Sequence, residues 1–264
     1  MYRHKLLNPR PANATAEKLQ TVLLAYHDFR AAMETDPLQE KVIALAAWQS
    51  QRLKHTHQDL YLLPAYKSGL NFLLEDLYAP KDFSQRDNDI DRIYPTMVKL
   101  LPETLLYTVA ALVELNLLSR KLDLALANVL YKQMQINKID AEVYAEAYRI
   151  CDNKKERLHQ IQLIANIGDD LDRYVHSKFL NFTLKMTRKP AEIAGVGALH
   201  DFLFRGFQAF KSMDSVDLLL EQIIERETCL LEQIYNQHPT PLALPSHFTK
   251  PWHQRSVHDH NASV

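Results

Sequence analysis

Glycine is scarce in this chain, which has only 5 Gly among its 264 residues. Tight turns, β-hairpins and phosphate-binding loops depend on glycine, so its scarcity favours helices joined by other turn residues. The sequence also lacks a G-x-S-x-G elbow, an H-E-x-x-H pair and a C-x-x-C pair. We therefore predict no catalytic residue. The sequence leaves open whether the protein is an enzyme, but it favours a protein without catalytic activity.

An excess of charge of one sign is also missing. The 31 basic and 32 acidic residues leave a net charge of −1, so no overall basic surplus attracts nucleic acid or an anionic membrane. No run of about 20 apolar residues occurs, and we predict no membrane span. Cys151 and Cys229 are the only cysteines, and the residues after Met1 do not form a secretory signal. These features favour a cytoplasmic protein with reduced thiols.

Hydrophobic residues, by contrast, are plentiful at 47% of the chain, and they recur at the helical period of 3.6 residues. The first apolar stripe, for example, consists of Leu19, Val22, Leu23, Tyr26 and Phe29. No alternating strand pattern of useful length is present. The sequence therefore predicts an all-α fold, a single globular bundle of about ten helices.

Several helix boundaries are predicted from breakers and caps. Ser119 follows a long apolar run and is predicted to start a new helix, and Asp140 is predicted to cap another. Gly168 is predicted to separate or bend two helices. Lys189 and Pro190 are predicted to open a helix that reaches about Lys211.

Three segments are predicted along the chain. Residues 1–13 form an N-terminal extension, residues 14–238 form the helical domain, and residues 239–264 form an extended or disordered tail rich in proline and histidine. A division of the body near residues 137–140 is the alternative to one domain. The tail is expected to touch the body, if at all, through its apolar residues, which are Leu242, Leu244, Phe248 and Trp252.

One short segment carries a family resemblance. The run Phe72-Leu73-Leu74-Glu75-Asp76-Leu77-Tyr78 resembles the motif of a bacterial family that is named for the letters FFLEELY. The surrounding residues agree with that family, and they are Gln51-Arg52-Leu53, Arg86-Asp87-x-Asp89 and Leu122-Asp123. The chain departs from the motif at Leu73 and Asp76, both of which are conservative changes. The family has no assigned activity, so the resemblance implies an uncharacterised helical protein and transfers no catalytic residue.

The motif and the acidic segment after it form the candidate site. Phe72 belongs to an apolar face, whereas Glu75 and Asp76 lie on or near the other face of the same helix. The sequence predicts a cluster of ion pairs, or an interaction surface, in which these acids meet Arg86 or Arg92. The full set of predicted residues is Phe72, Glu75, Asp76, Tyr78, Arg86, Asp87, Asp91 and Arg92.

Asp87 and Asp91 also have a functional interpretation. They are four residues apart, so on a helix they share a face and could hold Mg²⁺ against a diphosphate, as all-helical isoprenoid synthases do. A second acidic segment contains Asp169 and Asp170, but Arg173 stands where the spacing would require another acid. This alternative rests on analogy of fold and composition.

A haem-oxygenase-like bundle is a further alternative. It would need an axial histidine, for which His27 is the candidate, and a helix that approaches a flat ligand closely, for which Gly195 and Gly197 are the candidates. We predict no cofactor and no metal site. The leading hypothesis is a non-catalytic helical protein that binds a protein partner or forms a homodimer. The alternative is an enzyme or a carrier for a hydrophobic ligand, which would require a sizeable internal pocket with converging polar groups.

Overall fold

The computed structural model describes residues 3–8, 10–77, 84–213 and 215–249, and every regular element in these ranges is helical. The all-α prediction is confirmed, and the helices pack into one globular body. Two short π-helical turns, π1 and π2, continue two of the α-helices. In chain order the elements are α1 Arg3–Leu7, α2 Ala14–Met33, α3 Gln39–Thr56, α4 Gln58–Tyr61, α5 Pro64–Asn71, π1 Phe72–Leu77, α6 Ser84–Leu100, α7 Glu103–Ala127, π2 Asn128–Gln133, α8 Ala141–Cys151, α9 Lys154–Val175, α10 Lys178–Met186, α11 Arg188–Ile193, α12 Gly197–Lys211, α13 Val216–Tyr235 and α14 Ser246–Thr249.

Polar caps fix where several helices begin. The Asp140 side chain accepts a hydrogen bond from the Val143 N–H at 3.0 Å, which confirms the predicted cap of α8. Ser215 caps α13 in the same way, through the Leu218 N–H at 3.2 Å. Each cap satisfies one of the four backbone N–H groups that a helix start leaves without an intrahelical partner.

Helix α7 lies at the centre of the body, where it packs against α2, α3 and α9. Its residues contribute to three groups of buried apolar side chains. The first group joins α7 to α3, α8 and α13, the second joins it to α1, α2 and α6, and the third joins it to α9. A fourth group, formed by α4, α5, π1, α9, α12 and α13, lies to one side. Helix α7 therefore faces every part of the interior except that one.

The predicted helix start at Ser119 is wrong, and the chain is not divided into two helices at Gly168. Helix α7 runs through Ser119 without a break, and the Ser119 hydroxyl donates back to the Leu115 carbonyl at 2.7 Å inside the helix. Helix α9 likewise runs through Gly168. A Cβ atom on Gly168 would lie 2.7 Å from Leu220 Cδ1, so this glycine permits close packing of α9 on α13.

The predicted helix from Lys189 to Lys211 is in fact two helices, α11 and α12. Gly195 lies between them with a φ of +68°, a left-handed conformation that favours glycine. The Val196 N–H donates to the Ala191 carbonyl at 2.8 Å, which completes the usual glycine-terminated helix end. The chain can therefore turn sharply between α11 and α12.

Both ends of the described chain contact the body. Leu6 of α1 is fully buried against α2, α6 and α7, so part of the predicted N-terminal extension is helical. Near the other end, Leu242 packs on the group around α13, and Phe248 is buried. Trp252 lies outside the described residues, and the predicted segment boundaries at residues 13 and 238 stay predictions. None of the described helices is long and apolar enough to cross a membrane.

Candidate functional site

The family motif forms the π-helical turn π1, directly after α5. Phe72 is buried, and its ring contacts the rings of Phe202 and Phe210 on α12. Gly206 makes this contact possible, since a Cβ atom there would lie 2.6 Å from Phe72 Cζ. A π-helical turn shifts the side chains that follow it around the helix axis, and such turns occur frequently at functional sites.

The acidic residues of the motif pair with other partners than the predicted ones. Glu75 pairs with Lys54 at 3.3 Å, and Asp76 pairs with Arg205 at 2.9 Å. Arg86 reaches only the backbone carbonyl of Asp76, at 3.3 Å. The predicted ion pairs from these two carboxylates to Arg86 or Arg92 are therefore wrong. Tyr78 lies outside the described residues.

The acidic segment on α6 is buried and forms several hydrogen bonds. Asp87 accepts hydrogen bonds from both Nε and Nη2 of Arg86, at 3.0 and 2.8 Å, and from the Tyr26 hydroxyl at 2.7 Å. Asn116 donates to the Tyr26 oxygen at 3.1 Å. Burial and then the charge of Asp87 raise the pKa of Tyr26, and the charges of Arg120 and Arg86 oppose that rise. Tyr26 therefore stays protonated and donates to Asp87.

Asp91 lies one turn further along α6. Its Oδ2 atom lies 2.5 Å from Arg30 Nη2 and 2.8 Å from His27 Nδ1, both on α2. Its Oδ1 atom is buried and has no hydrogen-bond partner among the described residues. The neighbouring Arg92 pairs instead with Asp89, at 3.2 Å. Asp87 and Asp91 each have a basic partner, but that partner is Arg86 for one and Arg30 for the other.

An internal cavity of about 620 Å³ lies between these groups. Its walls are mostly apolar and come from helices in every part of the body. Leu203 on α12 has the highest exposed fraction among the lining residues that the structure describes, at 47%. The lining includes polar residues from seven helices and from the turn after α3, which are Tyr26, Gln49, Arg52, His57, Arg86, Asp87, Asp91, Thr108, Asn116, Ser119, Arg120, Asp123, Tyr144, Tyr148, Arg157, Gln160 and Glu227.

Another charge pair on the wall joins α3 to α13. Arg52 Nη1 lies 2.6 Å from Glu227 Oε2, and His57 Nε2 lies 3.2 Å from Glu227 Oε1. Burial alone would raise the pKa of Glu227, but the charge of Arg52 and the bonds from His57 and Arg52 outweigh it and lower that pKa to about 2. The second nitrogen of His57, Nδ1, is buried without a partner among the described residues.

A series of hydrogen-bonded polar side chains connects α3, α7 and α8. Gln49 donates to Asp123 at 2.9 Å and accepts from the Tyr144 hydroxyl at 2.8 Å. Tyr144 in turn lies 2.7 Å from the Tyr148 hydroxyl, and Arg157 lies over the Tyr148 ring at 4.2 Å. These contacts connect the three helices on this side of the cavity.

Arg120 differs from the other charged residues of the wall. It is half-buried, it lines the cavity, and it forms no hydrogen bond or ion pair with any described residue. Its charge nevertheless acts on the pKa of Tyr26, which places it near the group formed by Tyr26, Asn116 and Asp87. A half-buried cation without a carboxylate partner offers a binding position for an anion.

The residues predicted for haem or diphosphate binding are not brought together. His27 is held by Asp91, Gly195 lies against the Arg92 guanidinium at the end of α11, and Gly197 begins α12. None of these three described residues lines the cavity. Asp170 accepts from Thr108 at 2.6 Å, and the Asp169 side chain lies outside what the structure describes. Among the described residues no group of three or more His, Cys, Asp or Glu could hold a metal ion.

Comparison with known families gives one match. A family model described as a domain of unknown function, DUF8198, matches residues 28–241. The chain belongs to this family. Comparison with curated proteins and with solved structures gives no match. Membership of the DUF8198 family therefore agrees with the expectation of an uncharacterised helical protein and indicates no specific activity.

The region matched by the DUF8198 family contains every polar residue of the cavity except Tyr26. Sequence reasoning missed most of them, although one signal was available. Asn116, Arg120 and Asp123 follow the spacing i, i+4, i+7, which places them on one side of a helix that is otherwise apolar. The predicted break at Ser119 divided this set between two helices and concealed the polar stripe. The pairing of Arg52 with Glu227 had no local signal, because the two residues are far apart in sequence.

Proposed function

We propose that the protein binds an apolar small molecule with an acidic group in its internal cavity. The observation that carries the proposal is the cavity of about 620 Å³ with Arg120 free on its wall. Pockets for small molecules typically have volumes of about 300–1,000 Å³, mostly apolar walls and a few converging polar groups. A bundle that acts only through its outer surface would have a filled interior, so the cavity favours the carrier alternative over a purely partner-binding protein.

Arg120 is the residue that would bind the acidic group of the ligand. A carboxylate or phosphate beside it would gain a charge-assisted hydrogen bond in surroundings of low dielectric constant. The Asn116 amide lies on the same side of α7, one turn before, as a further donor. The Asp87 carboxylate is already neutralised by Arg86, so it does not cancel the charge of Arg120. The apolar walls then receive the rest of the ligand.

Other polar atoms of the wall support a binding role. Asp91 Oδ1 and His57 Nδ1 are buried and without partners among the described residues, although both side chains line the cavity. Buried polar atoms are normally hydrogen bonded, so such orphans favour contact with a ligand or with water held beside it. No serine or cysteine of the described wall is bonded to a histidine, and we propose binding instead of catalysis.

Equilibrium binding of palmitate and of hexadecanol tests the proposal, because the two share a chain length and differ in the acidic group. We expect palmitate to bind more tightly and to raise the melting temperature more. Arg120→Gln is expected to reduce palmitate affinity by roughly 10- to 100-fold, which corresponds to one charge-assisted hydrogen bond. Hexadecanol affinity should change little. Lys121→Gln, at the exposed neighbouring position, is the matched control and should bind both ligands normally.

A second pair of variants tests the cavity itself. Val109 lines the cavity, whereas Val98 packs in the same apolar group without lining it. Val109→Phe should weaken both ligands by filling space, and Val98→Phe should not. If neither ligand binds, and native mass spectrometry of the purified protein finds no bound molecule, the proposal is wrong.

Two further assignments stay proposals. We propose that this family is the bacterial one named for the FFLEELY motif, which the run from Phe72 to Tyr78 supports. We also propose a cytoplasmic location, which the two free thiols of Cys151 and Cys229 support. Labelling both thiols in intact cells, without prior reduction, would test the second assignment.

A further inference from the structure

Helices α10 and α11 expose four large apolar side chains that lie close together in the sequence. Phe179 is 78% exposed, Phe182 and Met186 are each 63% exposed, and Ile193 is 88% exposed. The first three follow the spacing i, i+3, i+7 and form one stripe along α10. The exposed apolar surface is thus a continuous helix face, which a folded protein rarely leaves uncovered.

The other face of α10 holds the helix on the body. Leu180 and Leu184 pack against the buried group that includes Phe207 and Val175. His200 Nε2 of α12 donates to the Leu184 carbonyl at 2.8 Å. The exposed stripe therefore belongs to a helix with two apolar faces, of which only one is used internally.

Basic residues surround the stripe. Lys178 and Lys185 are exposed and seven residues apart, so they lie together along one side of the stripe. Arg188 and Lys189 are exposed at the start of α11. Glu192, the single acidic residue between positions 178 and 193, pairs with Arg188 at 3.4 Å. Four basic residues and one acidic residue stand out in a chain whose net charge is −1.

We propose that α10 and α11 dock the protein on an anionic lipid surface. Helices that lie in a membrane interface combine phenylalanine and other apolar residues on one face with lysine and arginine beside it. Each basic residue near an anionic bilayer adds to the attraction, which acts locally and does not require an overall positive charge. The apolar area of four side chains alone falls short of the roughly 800 Å² per partner that a stable protein interface buries.

The docking surface lies beside the cavity. Leu199 and Leu203 line the cavity on α12, and His200 between them contacts α10. Leu203 is the most exposed lining residue, and α12, which carries it, packs against both α10 and α11. Docking would bring Leu203 and its helix close to the bilayer, where apolar molecules with acidic groups reside. This inference does not depend on the ligand, and its test needs none.

Sedimentation with lipid vesicles tests the proposal on the full chain. We expect the protein to bind vesicles of phosphatidylglycerol and phosphatidylcholine and to bind pure phosphatidylcholine weakly, with the difference reduced by high salt. The double variant Phe179→Ser, Phe182→Ser should lower the partition coefficient by more than roughly tenfold. Lys178→Gln with Lys185→Gln should lower it by roughly tenfold on the anionic vesicles only.

Matched controls use exposed residues elsewhere. Leu100→Ser removes a side chain that is also highly exposed, and Lys132→Gln with Lys138→Gln removes two exposed lysines. Both controls should bind like the wild type, and circular dichroism should show all variants folded. Equal binding of wild type and patch variants, or no binding to anionic vesicles, would overturn the proposal. So would a dimer that dissociates in the phenylalanine variant, because the patch would then be a self-association surface.

Discussion

Two half-buried arginines, Arg52 and Arg120, line the same cavity, but only one of them has an acidic partner in the part of the chain that the structure describes. Arg52 pairs with Glu227, which also contacts His57, so the charges on that side of the wall compensate one another. Arg120 faces the cavity from α7 without an acidic partner among the described residues. Both residues have the same side chain and comparable burial. The two arginines differ only in whether a carboxylate lies close enough to pair with them.

The paired charge of Arg52 stabilises the fold, whereas the unpaired charge of Arg120 is available to a ligand. A paired buried charge loses its compensation when its partner is removed, and the protein loses stability. An unpaired charge already carries its desolvation cost in the folded state, so its removal costs little. The variants below should therefore separate stability from binding.

The largest effect is expected for Glu227→Gln. The change keeps the size of the side chain but leaves Arg52 buried without a countercharge, and we expect a loss of about 3–5 kcal/mol in the free energy of unfolding. Urea denaturation measures it. Glu232→Gln serves as the control, because its pair with Lys154 is partly exposed and is worth less than about 1 kcal/mol. Equal losses of stability in the two variants would show that the pair of Glu227 with Arg52 stabilises the fold no more than the partly exposed pair does.

The same carboxylate predicts a pH dependence. The folded protein lowers the pKa of Glu227 from its usual 4.5 to about 2, which corresponds to about 3 kcal/mol. This stability is fully present above pH 4.5 and is lost as the pH falls towards 2. Urea midpoints measured between pH 5 and pH 2.5 should therefore fall more steeply in the wild type than in Glu227→Gln. Parallel profiles would contradict the low pKa.

An intermediate effect is expected for Asp91→Asn. An amide keeps one acceptor oxygen but gives Arg30 no charge, so about 2 kcal/mol should be lost with one charged hydrogen bond. Asp28→Asn on α2 breaks a pair with Arg3 that is exposed, and it should change stability by much less. Stabilisation of the wild type by Mg²⁺ with diphosphate, absent from the variant, would instead favour the isoprenoid-synthase-like alternative.

The smallest effect is expected for Arg120→Gln in the ligand-free protein. We expect the free energy of unfolding to stay within about 0.5 kcal/mol of the wild type, because no pair is broken. Urea denaturation of protein stripped of bound molecules measures this. A loss as large as that of Glu227→Gln would show that Arg120 has a structural partner, and the proposed anion site would lose its basis.

Helix α7 shows most clearly how much of the fold can be predicted from the sequence. The long apolar run before Ser119 indicates a helix, but Ser119 itself is predicted to start another one. The helix continues through Ser119, whose hydroxyl bonds within it and also accepts from Gln160 of α9, at 2.7 Å. The contact with α9 joins residues far apart in the chain, so no local pattern could show it. The polar stripe of Asn116, Arg120 and Asp123 became visible only with the helix intact.

The sequence by itself determined the helical class and the cap at Asp140, because period and capping act over a few residues. Only the tertiary structure decided which charges are paired, since Arg52 meets Glu227, and Asp91 meets Arg30, across helices that the chain order does not bring together. The cavity is likewise a property of packing. Identical apolar stripes can enclose space or fill it, depending on how the helices cross.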